Sequence, residues 1–460
     1  MPRPSTALLT ILVVGIAYGQ WQPLLRLTDN EGVSQTSSNN ARSVAAVDDV
    51  VHVVWYDYRD GNAELYYKRS VDAGANWTPD IRLTISQGHS LCPSVAAIDS
   101  FVHVVWVEPG SRFPMVCYKR SSDRGEDWSI DTKLASDLGA AIRPCIALSD
   151  SFVHVVWAEF RSGQMPEIYY RRSTNRGASW GGAARMSADT GASSLPSIAA
   201  WGANLHLVWV DDRSGKPELY YRPSTNNGSS WPGERRLTDV PYGTYNPCIA
   251  AYGSYIHVVW ECAGTPYSEI LHKHSSDNGN RWGIEERLSD AECHAHDPSV
   301  AVWGENVHAA WEGYRDGHFD IYYRRSPDRA RTWEPTERLI ADFARSDDVS
   351  VALAGALVHA VWTDEQDGNP EVYYRRNPTG NPGVEEKPAV LGRQFRATVI
   401  RGALRQPGRD RADLLDITGR RVMSLQPGPN DIRYVGPGVY FIRPANSGGR
   451  AAVTKVVIQR

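Results

Sequence analysis

The chain has 460 residues, of which 42% are hydrophobic and 10% aromatic, so it can bury a large apolar core. Its net charge of −4 gives no general attraction for nucleic acid, which excludes binding driven by the phosphate backbone. The charge is unevenly divided, because residues 391–460 carry 13 Lys and Arg against 4 Asp, a net charge of +9. An acidic body therefore precedes a basic C-terminal segment.

Residues 1–19 have the features of a secretory signal peptide. Arg3 supplies the charged region, an 11-residue apolar run covers residues 7–17, and small residues at 17–19 form a cleavage site. The run is too short to cross a bilayer, and no later stretch approaches the roughly 20 apolar residues that a transmembrane helix needs. We therefore expect an exported protein, secreted or held at the cell surface, that begins near Gln20 and has no transmembrane segment.

Residues 20–377 are organised as a repeat. A tryptophan that ends an apolar run recurs at steps of 51 or 52 residues. The seven copies are Trp55, Trp106, Trp157, Trp209, Trp260, Trp311 and Trp362. Each copy contains short runs rich in Val, Ile, Tyr and Trp, separated by Gly, Asp, Asn or Pro, which is typical of consecutive antiparallel strands. Four strands per copy predict an all-β fold, a seven-bladed β-propeller with four-stranded blades.

The seventh copy lacks its fourth strand. Its third strand ends near Arg376, and a Pro- and Gly-rich stretch follows. At the other end of the chain, residues 24–28 (LLRLT) match the end of the fourth strand of the first copy, residues 81–84 (IRLT). We therefore expect the N-terminal segment to close the ring as the outer strand of the last blade, which removes exposed sheet edges.

Residues 378–390 are predicted to be a linker, because they contain Pro, Gly and charged residues without a strand pattern. Residues 391–460 contain short strand-like segments with Gly-containing turns, which predict a small β-sandwich. The segments ADLLDITGRRVMS (412–424), GVYFIR (438–443) and the terminal TKVVIQR resemble the C-terminal sorting domains of type IX secretion cargo. The resemblance implies that secretion machinery is a partner of this domain. The alternative is an accessory β-sandwich without a sorting role.

A turn motif, Ser-x-Asp/Asn-x-Gly-x-x-Trp, follows the third strand of the first six copies. It runs from Ser70 to Trp77 in the first copy, and Ala330 replaces its glycine in the sixth. Asp or Asn can bond the turn backbone, Gly supplies a positive φ, and Trp packs the turn onto the blade. The motif resembles the Asp-box, or BNR, repeats of sialidases and related β-propellers. That resemblance implies a structural turn away from the functional face.

With the strands of each blade labelled A to D in chain order, the B–C loops lie on the face opposite these turns. Arginines and carboxylates recur in the B–C loops, and such a ring suits a glycan or a protein ligand. The predicted ligand-binding residues are Asp57, Arg59, Glu159, Arg161, Asp211, Arg213, Arg315 and Asp364. The alternative is that the Arg and the carboxylate of each loop pair with each other and fix the turn.

Two further sets of side chains are interpreted as structural. A histidine stands three residues before each B-strand tryptophan, and neighbouring blades should bury it, so we expect neutral, hydrogen-bonded rings. These are His52, His103, His154, His206, His257, His308 and His359. The cysteines have no metal-binding spacing, and free or partly paired structural thiols are favoured over a disulfide framework, because six cysteines are few for this length. They are Cys92, Cys117, Cys145, Cys248, Cys262 and Cys293. We predict no metal and no cofactor.

Three functions stay open from the sequence. Sialidases use an Arg-Ile-Pro signature that is absent here, and near-identical blades do not place two carboxyl groups in different environments, as hydrolysis requires. A propeller that binds a glycan or protein at the B–C face is therefore favoured over a sialidase-like glycoside hydrolase. A surface-structural protein without a small ligand is the third possibility. A unique site is expected in the irregular loops at 109–114 and 262–267, or in the D–A stretch 293–297.

Overall fold

The computed structural model divides the chain into two compact units, residues 1–384 and 385–460. It describes residues 21–37, 42–135, 138–187, 191–264, 266–290, 293–315, 317–340, 344–378, 398–400, 403–406, 412–415, 421–431, 435, 438–444 and 454–458. The predicted signal peptide and nearly all of the predicted linker lie outside these residues. Every element in the described part is a β-strand, so no helix there is long and apolar enough to cross a membrane.

The first unit is a seven-bladed β-propeller with antiparallel blades, as predicted. Blade 1 contains Ser34–Gln35, Val44–Val47, Val50–Asp57, Glu64–Ser70 and Ile81–Arg82. Blade 2 contains Leu91–Ile98, Phe101–Pro109, Pro114–Ser121 and Thr132–Lys133. Blade 3 contains Gly139–Ser149, Phe152–Arg161, Glu167–Ser173 and Ala184–Arg185. Blade 4 contains Ser193–Trp201, Asn204–Asp211, Glu218–Ser224 and Arg235–Arg236.

The remaining three blades follow the same order of strands. Blade 5 contains Thr244–Tyr252, Tyr255–Cys262, Glu269–Ser275 and Glu286–Arg287. Blade 6 contains His294–Trp303, Asn306–Arg315, His318–Ser326 and Glu337–Arg338. Blade 7 contains Ser346–Ala354, Leu357–Asp364, Glu371–Asn377 and the N-terminal strand Leu25–Arg26.

The N-terminal strand closes the ring, which confirms the prediction from residues 24–28. Arg26 is paired with Tyr373, and its Nη2 donates to Glu371 Oε1 of the same blade at 2.8 Å. Trp21 packs edge-on against Tyr323 of the preceding blade with ring centroids 5.0 Å apart. It therefore occupies the position that the turn tryptophan takes in the other six copies.

The core lies between neighbouring blades, where the B-strand tryptophans are at most 1% exposed. The A strands line the central channel with small residues, mostly alanine, around a cavity of about 190 Å³. Arg42 of blade 1 reaches across this channel, where its Nη2 donates to the carbonyl of Ile249 in blade 5 at 3.0 Å. The channel is therefore crossed by a side chain between its two mouths.

The repeated turn after the C strand is structural, as expected. In blade 1, Ser70 Oγ accepts from Gly74 N at 2.8 Å and Asp72 Oδ1 accepts from Asn76 N at 2.8 Å. Trp77 packs edge-on against Tyr374 of the preceding blade at 4.9 Å. Each turn thus fixes its own backbone and joins two blades.

The seven repeated histidines are buried, which agrees with their structural interpretation. In blade 1, His52 Nδ1 lies 2.7 Å from the hydroxyl of Tyr67, and burial lowers the pKa of His52 to about 3. Blade 5 differs, because His257 Nδ1 lies 3.2 Å from Nε2 of His272 instead of a tyrosine. The six cysteines are free, so none of them forms a disulfide.

The second unit also consists of strands. One sheet contains, in spatial order, Thr398–Ile400, Thr454–Ile458, Gly438–Pro444, Ala412–Leu415 and Arg421–Leu425. A second sheet pairs Ala403–Gln406 with Gly428–Asp431. Leu414, Leu425 and Ile442 are buried in its core. Its sorting role stays a prediction.

Candidate functional site

Four of the predicted ligand-binding residues are carboxylates that are buried at the end of a B strand. Their oxygens accept from the indole Nε1 two residues earlier, at distances between 3.0 and 3.2 Å. These residues are Asp57, Glu159, Asp211 and Asp364, each at most 1% exposed. They therefore hold the repeated tryptophan and the B–C loop in place.

Three of the four predicted arginines pair with the carboxylate of their own loop. Arg213 Nη2 lies 2.5 Å from Asp211 Oδ2, and its guanidinium also bonds Glu234 and covers the ring of Tyr220 at 4.3 Å. Arg59 has the equivalent contacts in blade 1, and Arg161 bonds Glu159 in blade 3. Burial alone would raise the pKa of Asp57, but hydrogen bonds from Arg59 and its neighbours hold it below its usual value.

Blades 6 and 7 depart from this pairing of an arginine with the carboxylate of its own loop. Arg315 is exposed at the end of the B strand of blade 6, where its charge acts on Cys293 and Tyr322. In blade 7 the backbone N of Gln366 donates to Asp364 at 2.9 Å, where other loops have an arginine. The predicted set is thus grouped blade by blade, and its ligand-binding role stays a prediction.

A second group of side chains reaches the same mouth of the channel from bulges in the A strands. In blades 2 to 7 the pairing of strands A and B shifts register near the start of strand A. One residue of each bulge has a positive φ: Cys92, Arg143, Leu195, Asn246, Asp297 and Asp348. Burial raises the pKa values of Cys92 and Asp297, and the charge of Arg143 acts on both groups in the opposite direction, so residues from blades 2, 3 and 6 lie near one another. Such bulges re-aim side chains and are common beside active sites.

Blades 6 and 7 bring three carboxyl groups together at this mouth. The oxygens of Asp297, Glu312 and Asp348 all lie within 4.8 Å of one another. Glu312 is only 5% exposed, and its Oε1 accepts from the backbone N of Asp348 at 2.5 Å. No hydrogen bond from another described residue reaches the carboxyl oxygens of Asp297 or Asp348. We call these three residues the acid centre.

The environment of the acid centre favours protonated carboxyl groups. Burial, followed by the charge of Glu261, raises the pKa of Asp297 to about 6. Burial and the neighbouring carboxylates raise the pKa values of Glu312 and Asp348 well above their ordinary range. Like charges this close cannot all be ionised, so the group shares protons near neutral pH. It can then donate and accept hydrogen bonds at the same time.

Acidic and basic side chains surround the acid centre. His296 Nδ1 lies 3.0 Å from Glu261 Oε1, and this contact raises the pKa of His296. Arg345 Nε lies 2.6 Å from Asp347 Oδ2, beside the centre in blade 7. Among the described residues, the acid centre is the group whose geometry could hold a metal ion. A cation bound there would displace the shared protons, because metal ligation requires ionised carboxylates.

The stretch 293–297 was the sequence signal that pointed here, and it contributes His296 and Asp297. Glu312 and Asp348 were missed, although alignment of the repeats carries a signal. The residue after the B-strand tryptophan is Val107, Ala158 and Val210 in blades 2 to 4 but Glu261 and Glu312 in blades 5 and 6. A carboxyl group at a position that is uncharged in the other five blades marks a special site.

Comparisons with known proteins show the fold. No protein-family model matches the chain, and no curated protein matches it. A polysaccharide lyase of family PL25, an ulvan lyase bound to -[GlcA(1-4)Rha3S]-, is 10% identical with a TM-score of 0.55, over 76% of this chain and 94% of that one. The endosialidase of phage phi92 is 11% identical with a TM-score of 0.51, over 94% of this chain and 80% of that one. A Trypanosoma rangeli sialidase is 13% identical over 65% of this chain and 56% of that one, with a TM-score of 0.43.

Proposed function

We propose that the protein binds a carbohydrate at the B–C mouth of the propeller, with the acid centre of Asp297, Glu312 and Asp348 as its main contact. The observation that carries the proposal is the convergence of three largely buried carboxyl groups at the B–C end of blades 6 and 7. Burying carboxyl groups against one another costs stability, and such groups are concentrated at functional sites. The proposal does not rest on the arginines of the B–C loops, because Arg59, Arg161 and Arg213 each pair with the carboxylate of their own loop.

The protonation of the acid centre suits sugar hydroxyls. A hydroxyl group both donates and accepts, and the centre offers ionised oxygens beside protonated ones. Arg143 and Arg345 lie at its edge and can balance an acidic group on the ligand. The folds with TM-scores above 0.5 support a carbohydrate, because a polysaccharide lyase and an endosialidase are among them. The predicted signal peptide at residues 1–19 is consistent with an extracellular glycan or polysaccharide.

Cleavage of the bound glycan is a second candidate, and one observation favours it. The oxygens of Asp297, Glu312 and Asp348 lie within 4.8 Å of one another and share protons, so a protonated and an ionised carboxyl group coexist near neutral pH. The near-identical blades of the repeat had not predicted carboxyl groups in two different protonation states. A protonated carboxyl group can donate to a glycosidic oxygen, and an ionised neighbour can activate water or stabilise positive charge on the sugar.

Affinity electrophoresis in gels containing soluble polysaccharides tests the proposal. Neutral, uronate-containing and sialic acid-containing polysaccharides should be included, and we expect at least one to retard the native protein. Glu312→Gln should weaken that retardation at least fivefold, because the amide cannot share the protons of the centre. Reducing-end and double-bond assays on the same polysaccharides separate binding from hydrolysis and elimination.

Glu365→Gln is the matched control, since Glu365 is an exposed acid in the B–C loop of blade 7. It makes the same chemical substitution on the same face, outside the acid centre, and should leave retardation unchanged. A glycan whose binding is insensitive to Glu312→Gln, or equally sensitive to both substitutions, would place the ligand elsewhere.

A further inference from the structure

The opposite mouth of the channel carries aromatic residues that the repeat does not explain. Trp201, Tyr252 and Trp303 end the A strands of three consecutive blades, 4 to 6, at the same repeat position. The other blades have smaller side chains there: Val47, Ile98, Ser149 and Ala354. Trp201 and Trp303 are the two tryptophans that belong neither to the B-strand series nor to the turn series completed by Trp21.

These three rings lie side by side, with the half-buried Tyr252 between two exposed tryptophans. The ring centroids of Trp201 and Tyr252 are 4.2 Å apart, and those of Tyr252 and Trp303 are 5.2 Å apart. Trp201 is 38% exposed and Trp303 is 43% exposed, so both present ring surface to solvent. Large apolar side chains that are left in a contiguous exposed group usually mark a binding surface.

The A–B hairpins hold the rings in fixed positions. Each ring directly precedes a tight turn whose first residue has a positive φ: 53° at Gly202, 60° at Gly253 and 62° at Gly304. Two-residue turns of this kind match the twist of the flanking strands and leave little freedom to the residue before them. The aromatic surface is therefore preorganised, and its side chains lose little entropy when a ligand binds.

Carboxylates occupy the other half of the same mouth. Asp48, Asp99 and Asp150 stand in the equivalent turns of blades 1 to 3, and all three are exposed. Together with Trp201 and Trp303 they line a cavity of about 1000 Å³. Carboxylates repel anionic ligands and accept hydrogen bonds from hydroxyl groups.

We propose that the A–B mouth is a second binding site, for a neutral oligosaccharide whose apolar ring faces stack on Trp201, Tyr252 and Trp303. Its hydroxyl groups would donate to the carboxylates across the cavity. This site lies at the mouth opposite the acid centre, and the channel between them is crossed by Arg42. It therefore goes beyond the glycan site proposed at the B–C mouth.

The arrangement favours a sugar over a cationic ligand. Aromatic recognition of a cation uses rings that surround one point, whereas these rings follow one another along an arc and contact their neighbours. The carboxylates belong to blades 1 to 3 and the rings to blades 4 to 6, so acidic and aromatic contacts are separated across the cavity. An extended neutral sugar can stack its flat apolar faces on the rings and donate hydrogen bonds from its hydroxyl groups to the carboxylates.

Affinity electrophoresis of the full chain in hydroxyethyl cellulose, galactomannan and dextran tests this proposal, with alginate and polylysine as charged probes. The test variant is Trp201→Ile combined with Trp303→Ile. The fold accepts isoleucine at this position, since Ile98 occupies it in blade 2. We expect at least one neutral polysaccharide to retard the native protein and the double variant to bind it at least fivefold more weakly.

Two controls separate this site from the B–C mouth. Tyr314→Ala removes an exposed aromatic residue of blade 6 at the B–C end of its strand, and Glu365→Gln removes an exposed carboxylate from the B–C loop of blade 7. Both should leave retardation by the neutral polysaccharide unchanged, even if no glycan binds at the B–C mouth. The proposal is overturned if no neutral polysaccharide retards the protein, if the double variant binds equally well, or if polylysine competes for the aromatic surface.

Discussion

Gly74 of blade 1 lies directly against the hydroxyl of Tyr374 in blade 7, where a Cβ on the glycine would overlap the oxygen. The same contact joins every turn glycine to the tyrosine of the preceding blade in blades 1 to 5. Blade 6 has Ala330 at this position, and the preceding blade has the shorter His272 in place of tyrosine. The two exceptions to the repeat therefore occur at the same contact.

This relationship predicts that the exceptions compensate for each other. His272→Tyr should destabilise the propeller, because the longer side chain would meet the methyl group of Ala330. Adding Ala330→Gly should restore the loss, with an interaction free energy of about 1–3 kcal/mol in a double-mutant cycle. Urea unfolding of the wild type, both single variants and the double variant measures it, and additive effects would contradict the explanation.

Trp21 should contribute to stability as strongly as a turn tryptophan within the repeat. It packs on Tyr323, and its Nε1 donates to Glu337 at 3.2 Å, so it attaches the closing strand to blade 6. We expect Trp21→Ala to lower the free energy of unfolding by about 2–3 kcal/mol and to promote association through the loosened edge. Light scattering and urea unfolding would show this, with Trp77→Ala as the matched control. A Trp21 variant as stable as the wild type would contradict the closure.

Stability should fall steeply with acid because of the buried histidines. Burial lowers the pKa of six of them from 6.5 to about 3, and that of His257 well below 6.5. The unfolded chain binds protons below pH 6.5 while the folded chain does not, so their contribution is complete above pH 6.5 and is lost between pH 6.5 and 3. Each histidine contributes at most about 1.4 kcal/mol per pH unit in this window.

Unfolding midpoints measured between pH 8 and pH 4 test this expectation. They should decrease below pH 6.5, and His154→Gln should reduce the slope by the contribution of one histidine. A flat profile down to pH 4 would contradict the neutral, buried state of these rings.

Arg213 and Arg315 should differ in effect although both belong to the predicted ring. Arg213→Ala leaves Asp211 buried without its main cation, so we expect a loss of about 2–4 kcal/mol in stability. Arg315→Ala changes an exposed side chain and should alter stability by less than about 0.5 kcal/mol. Thermal unfolding of the two variants compares them directly. Equal effects would show that the pair with Asp211 does not fix the loop.

Most of the fold was predictable from the sequence because the repeat determines it. The spacing of Trp55 and its six counterparts predicted the blade number, and the LLRLT segment predicted the closure. The sequence did not decide whether the arginine and the carboxylate of a B–C loop contact each other or a ligand. The pattern around Arg59 and Asp57 fitted both a ligand ring and a structural pair, and its recurrence in most blades favoured the pair. The burial of Asp57 and its contact with Arg59 agree with the pair.

The acid centre could not be assembled from the sequence for a physical reason. Asp297 and Asp348 reach the channel mouth because bulges with positive φ redirect them, and a bulge adds a residue without changing the repeat period. Glu312 lies in a strand whose pattern predicts a buried apolar residue. Their convergence also depends on the packing of blade 7 against blade 6, which places Asp348 beside Asp297 and Glu312.

The central proposal is tested most directly by comparing glycan binding and stability in Glu312→Gln at pH 8. Because the pKa of Glu312 is raised, the folded chain keeps a proton that the unfolded chain loses above pH 4.5. The contribution of Glu312 therefore lowers the free energy of unfolding as the pH rises above 4.5. We expect the glutamine variant to unfold at a temperature equal to or above that of the wild type at pH 8. It should also lose at least fivefold in affinity for the retarding polysaccharide. A variant that is equally stable and binds the polysaccharide with unchanged affinity would contradict the assignment of the acid centre.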